Sequence, residues 1–208
     1  MTAKNQILTK LTSATLAWLL VSTIAATLPA ADKPEASAKD LDLKLDSNTA
    51  VVLDSARNGL PAKTKLIATA TFLDYQLAPV VDGNKQRKDL PWQEAAWASE
   101  EEAHTHGIEI QLSQPQRGGR FQVTWAYDTN GSDGVAWWIS RNYTIQVKAK
   151  ADDEWKTAVD VKSNQSIVGS YPLPDTAFSF VRICQPTGGG HPTRPNIMWV
   201  GQLELLKD

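Results

Sequence analysis

"RFQVTWAY", residues 120–127, decides how the rest of the chain is read. Apolar and polar side chains alternate along it: Phe121, Val123, Trp125 and Tyr127 fall on one face, Gln122, Thr124 and Ala126 on the other. Side chains that point alternately to opposite sides define a strand, and a single apolar face means that one side of the strand stays wet. "NYTIQVKAK" (142–150) repeats the pattern with Tyr143, Ile145 and Val147. Working outward, the same period appears in "KLIATATF" (65–72), "GIEIQL" (107–112), "EWKTAVDV" (154–161), "SIVGSY" (166–171), "FSFVRI" (178–183) and "MWVGQLELL" (198–206), which makes eight strands. Turn formers separate them: "SQPQRGG", "DTNGSDG", "KADDE", "KSNQ", "PLPD" and "QPTGGGHPTRPN". No apolar period of 3.6 residues is sustained, and "PWQEAAWASEEEAH" (91–104), rich in Ala and Glu, admits a helical turn or two. Half-wet strands joined by turns bury their apolar faces against one another, so the sequence predicts an all-β fold: two antiparallel sheets packed as a sandwich. Between Leu41 and Ala62 the signal is mixed, with "LDLKLD", "TAVVLD" and the turn "RNGLPAK", and it reads as a first edge strand or hairpin.

The chain has 208 residues, 42% of them apolar, enough for one domain with a core. Residues 1–30 read as a secretory signal peptide: Lys4 and Lys10 give a basic start, Leu16 to Ala26 an apolar run, and "TLPAA" a small-residue exit. That run is short for a membrane span, although an uncleaved N-terminal anchor would read similarly; with cleavage no span is expected, and the product is expected to be secreted or periplasmic. "ADKPEASAKD" (31–40) lacks large apolar residues and reads as a flexible linker, leaving 41–208 as the domain. Without Lys4 and Lys10 the formal charge of −2 becomes about −4, with no basic tract to neutralise phosphates, so nucleic acid is not expected as a partner. Cys184 is the single cysteine, so no intramolecular disulfide is possible. It lies in the apolar run "FSFVRICQP" and reads as a small buried residue.

The order of landmarks carries more than any one of them. "VVDG" (80–83), "WAS" (97–99), "IEIQLSQPQ", "FQVTWAY", "YTIQVKA", "EWKTAV", "YPLP", "FVRICQP" and "MWVGQLEL" follow in succession. This succession, from about residue 63 to the end, resembles the discoidin-like domain, the coagulation factor V/VIII C-terminal type, a galactose-binding-like jelly-roll sandwich. The resemblance implies a non-catalytic module that presents binding loops at one end of a rigid scaffold. Many bacterial relatives bind carbohydrate, which makes a glycan or cell-surface polysaccharide the expected ligand. With no room for a catalytic domain in these residues, a stand-alone binder is expected. A protein-interaction or envelope-assembly module using the same loops is the alternative. Many relatives also hold a structural calcium ion, and the matching residues are Asp82 and Glu204. The chain departs from the pattern there: fourteen residues separate Asp82 from Trp97, and position 95 is alanine where relatives usually have threonine.

Three stretches carry candidate chemistry. "EEEAHTH" places His104 and His106 on one side of an extended segment after Glu100 to Glu102, a spacing that suits a transition metal, a hydrogen bond to a sugar hydroxyl, or a solvated rim. A metal hydrolase built on this cluster is the third reading of the chain. "YDTNGSDGVAWWISRN" (127–142) is a long connection with Trp137, Trp138 and Arg141, in which adjacent tryptophans cannot both face inward if extended. Flat aromatic faces stack on pyranose rings, while Arg, Asn and His read the hydroxyls. "QPTGGGHPTRPN" adds His191 and Arg194 on a loop whose glycines permit close approach and whose prolines limit its entropy. Among the other tryptophans, Trp97 is expected in the core and Trp125, Trp155 and Trp199 in the core or on a sheet surface. Trp92 sits in a loop after Pro91, where exposure is open to it.

Overall fold

The computed structural model describes residues 41–84, 90–128 and 136–207, all within one compact unit. The signal peptide and linker expected at 1–30 and 31–40 lie outside these residues. Eleven strands form: β1 (Ala50–Val52), β2 (Lys65–Ala68), β3 (Trp97–Ala98), β4 (His106–Gln116), β5 (Arg120–Tyr127), β6 (Trp137–Trp138), β7 (Tyr143–Lys148), β8 (Lys156–Val161), β9 (Val168–Pro172), β10 (Phe178–Gln185) and β11 (Trp199–Leu206). One sheet has the order β1-β2-β4-β10-β7-β8 and the other β3-β11-β5-β6, with β9 also paired to β5. Every pairing between the strands is antiparallel. Among the described residues no helix is long and apolar enough to cross a membrane.

All eight strands read from alternation are present, and their inward faces meet. Phe121, Val123 and Trp125 of β5 are fully buried with Tyr143, Ile145 and Ile183 across the interface, and Trp97 closes the same core. Cys184 is buried in β10, where burial pushes its thiol up to about 12. The fit between strands is close: a Cβ on Gly107 would lie 2.2 Å from the Ile183 carbonyl oxygen, so only glycine lets β4 pair with β10 there.

Some expectations change with packing. Tyr127, placed inward by alternation, is only half-buried against Trp137, whereas Ala126 is buried with Trp138 and Trp199. An aromatic cluster covers the outer face of β5 at its end, so both faces are occupied there and the wet-face rule lapses. "LDLKLD" forms no strand; Asp46 N–H still donates to the Ala68 carbonyl at 2.9 Å, and β1 takes the sheet edge. "SQPQ" extends β4 instead of turning, leaving the reversal to Arg117–Gly119. The helical signal at 91–104 yields one turn, α1 (Trp92–Ala95). Trp155 lies on the outer sheet surface, with the Lys148 ammonium 4.6 Å and the Arg182 guanidinium 4.2 Å from its ring.

Candidate functional site

The connections that lead into β4, out of β5, into β7, out of β10 and into β11 meet at one end of the sandwich. Two of them, 128–142 and 186–198, carry the chain from one sheet to the other. Residues 129–135 of the first lie outside the described residues. Beneath this end sits a second apolar cluster: Tyr75, Trp138, Trp199 and Ile197, with Phe72 and Trp92 against it. Its rings are interlocked, with Trp92 4.9 Å and Trp138 5.4 Å from Trp199, the latter stacked at 27°, and Tyr75 edge-on at 5.5 Å. Trp92 is therefore part-buried in this support.

The paired tryptophans belong to strand β6, registered against Ala126 and Tyr127, not to irregular loop. Consecutive strand residues face opposite ways. Trp138 turns into the aromatic cluster on the outer face of β5, 2% exposed, and its Nε1–H donates to the buried Asp128 carboxylate at 3.3 Å. Trp137 turns outward, half-buried, with its ring 4.8 Å from that of Tyr127. Of the two, Trp137 is the one with a face to offer.

The glycine-rich connection closes on the protein itself. A Cβ on Gly189 would come 2.6 Å from the Asn142 carbonyl oxygen, and that glycine's own carbonyl accepts the N–H groups of Arg141 at 2.7 Å and Asn142 at 2.9 Å. Gly190 N–H donates to the Pro195 carbonyl at 2.9 Å, and His191 and Arg194 form an antiparallel bridge. His191, part-exposed, meets the edge of Trp138 at 5.2 Å, and burial together with the charge of Arg141 holds its imidazole below the ordinary histidine range. Arg141 also donates from Nη1 to the Asn164 carbonyl at 3.2 Å. Arg194 forks onto Glu101, from Nε at 3.1 and 3.2 Å, and its guanidinium lies 5.1 Å from Phe72 and 5.6 Å from Trp199. That fork keeps the Glu101 carboxyl below its usual value.

On the entry to β4, His104 and His106 do share a side, with ring centroids 4.2 Å apart. His104 is part-exposed and its Nε2 lies 2.8 Å from Glu100 Oε1. His106 is fully buried, so it meets no sugar at the surface, and burial keeps its imidazole below the ordinary range. Sequence reading had no signal for Asp128, Phe72 and Tyr75, nor for the pairing of Glu101 with Arg194, since each acts through partners distant along the chain.

Asp82 and Glu204 lie on the two sides of the contact between a 3-10 turn (Ala78–Val81) and β11. They are hard oxygen donors of the type calcium takes. Asp82 Oδ1 accepts from the Asn84 N–H at 2.8 Å, Glu204 Oε2 from Gln122 Nε2 at 2.6 Å, and the Val80 carbonyl from Gln202 Nε2 at 2.9 Å. Each oxygen has further lone pairs, so the donor chemistry fits a hard cation.

The architecture is the galactose-binding-like, discoidin-like β-sandwich fold. No protein-family model and no curated protein matches the chain. Solved structures do. Chitosan-binding module 1 of a chitosanase/glucanase from Paenibacillus sp. IK-5 superposes with a TM-score of 0.55 at 16% identity, over 73% of this chain and 99% of that one. The family 32 carbohydrate-binding module of Streptococcus pneumoniae EndoD gives 0.51 at 17% identity, over 66% and 89%. A fucose-binding module, SpX-3, also from Streptococcus pneumoniae, gives 0.51 at 18% identity, over 74% and 98%.

Proposed function

We propose that the protein is an exported, non-catalytic carbohydrate-binding module that holds a sugar at the loop end of the sandwich. The observation that carries this reading is the tip itself. An outward tryptophan, Trp137, shares it with the part-exposed side chains of Arg141, His191 and Arg194, on the fold of modules named for binding chitosan and fucose. The apolar face of a pyranose stacks on Trp137, and the cationic and imidazole groups donate to its hydroxyls. Trp138 and His106, both buried, support this surface from below and do not touch the sugar. A structural calcium at Asp82 and Glu204 belongs to the same proposal, holding the 3-10 turn against β11.

The test is a glycan array followed by calorimetric titration of the best ligands. Trp137→Ala and His191→Ala are expected to weaken binding about tenfold each while leaving the melting temperature near that of the parent. Folded protein that retains no glycan, or both variants binding as the parent does, would overturn the reading. A protein captured from the native host that stays bound in excess free sugar would favour the protein-interaction reading instead. Mass spectrometry of the product from that host checks export, which requires loss of about the first thirty residues.

A further inference from the structure

Glu100, His104 and His106 each offer a ligand atom to a group in which all three lie within 4.8 Å of one another. The hydrogen bonds around the two rings fix what those atoms are. His104 Nδ1 lies 2.9 Å from the Thr105 carbonyl oxygen, and His106 Nε2 lies 2.8 Å from the Glu102 carbonyl oxygen. A carbonyl only accepts, so both of those nitrogens carry hydrogen. In a neutral ring the lone pair then sits on His104 Nε2 and on His106 Nδ1. Main-chain carbonyls that hold the far N–H of each imidazole are the usual outer support of metal-ligating histidines.

Two consequences follow. The lone pair of His104 Nε2 stands 2.8 Å from a carboxylate oxygen of Glu100, and two acceptors at that distance need a cation between them, either a proton or a metal. His106, meanwhile, is fully buried, and its Nδ1 has no partner in full hydrogen-bond geometry; the Asn196 main chain acts on the ring only as a looser hydrogen-bond acceptor. A proton on His104 answers the first need and leaves the second. A metal ion answers both, since two imidazoles and a carboxylate are a familiar donor set for zinc, at about 2.0–2.2 Å from each ligand atom. Tetrahedral bonds of that length put ligand atoms roughly 3.4 Å apart, which small rotations of the part-exposed Glu100 and His104 supply.

We infer that Glu100, His104 and His106 form a site for a divalent transition cation of the zinc type, with a fourth position open to solvent. The site ties the segment before β4 to its own buried end, and through Glu101 and Arg194 it stiffens the rim carried by the 186–198 connection. It does not depend on the sugar reading, because its test contains no sugar.

The experiment uses tag-free, chelator-treated protein, titrated with zinc by calorimetry and with cobalt by visible absorption, and metal content is counted by elemental analysis. One equivalent of zinc is expected, with the d–d bands of a tetrahedral cobalt site and a zinc-dependent rise in melting temperature, as binding to the folded state alone requires. His104→Gln and Glu100→Gln are expected to weaken zinc at least about tenfold. Glu154→Gln, exposed and remote from the cluster, is expected to leave it unchanged. The buried His106 is left intact so that folding is not in question. Less than about a tenth of an equivalent bound, or unaltered zinc affinity in both variants, overturns the site and leaves His104 simply hydrogen-bonded to Glu100.

Discussion

Replacing Trp138 and Trp137 one at a time separates support from binding surface. Trp138 is 2% exposed, stacked on Trp199 at 5.4 Å, edged by His191 at 5.2 Å, and donates to Asp128. A buried tryptophan withdraws about 200 Å² from water, and at about 25 cal/mol per Å² that is worth about 5 kcal/mol, in line with the 3–5 kcal/mol that Trp→Ala truncations typically cost. For a domain of this size each kcal/mol moves the melting temperature by roughly 2–4 °C, so Trp138→Ala is expected to melt roughly 6–20 °C lower. Trp137 gives up less, because it is half-buried and one ring pair with Tyr127 contributes only about 0.5–1.5 kcal/mol. Thermal unfolding followed by near-ultraviolet circular dichroism, alongside sugar titration of each variant, reads both quantities. The reasoning fails if Trp138→Ala melts with the parent, or if Trp137→Ala loses more stability than Trp138→Ala.

Cys184, held at about 12 by burial, is expected to resist a thiol reagent at pH 8 in the native protein and to react fully in denaturant, with reaction in the native state as the contrary result. His191 titrates below its unfolded value near 6.5 because burial first, and the charge of Arg141 second, oppose its proton. As pH falls through about 6.5 the unfolded chain therefore binds the proton first, and stability drops toward acid. Ring-proton NMR is expected to place the His191 midpoint below 6.5 and to move it partway up in Arg141→Ala; an unmoved midpoint would count against the pairing. Calcium added to chelator-treated protein is expected to raise the melting temperature, and Asp82→Asn to abolish the rise. A parent protein whose melting is indifferent to calcium removes that ion from the proposal.

The sandwich was legible because its signal is local. Period-two alternation in "FQVTWAY" and "YTIQVKA" states which face is buried without reference to any partner, and the six other segments agree with it. Tyr127 and Ala126 mark where that signal ends: the alternation holds along β5 until an aromatic cluster drawn from Phe72, Tyr75, Trp92, Trp138 and Trp199 covers the outer face. No short window of sequence contains that cluster. The pairing of His104 with His106 was visible as a spacing of two in an extended segment, yet their opposite exposure was not, because the neighbours that bury His106 come from elsewhere.

By itself the sequence determined the all-β class, the antiparallel sheets, the buried cysteine and the loops on which polar chemistry gathers, since each depends on the order of residues a few positions apart. Only the tertiary structure decided that Trp137 faces outward and Trp138 into the aromatic cluster, that Arg194 is engaged by Glu101, and that Glu100, His104 and His106 converge on one another. Those outcomes depend on which distant side chains arrive at the same place, and that is set by how two sheets pack, not by any run of residues along one of them.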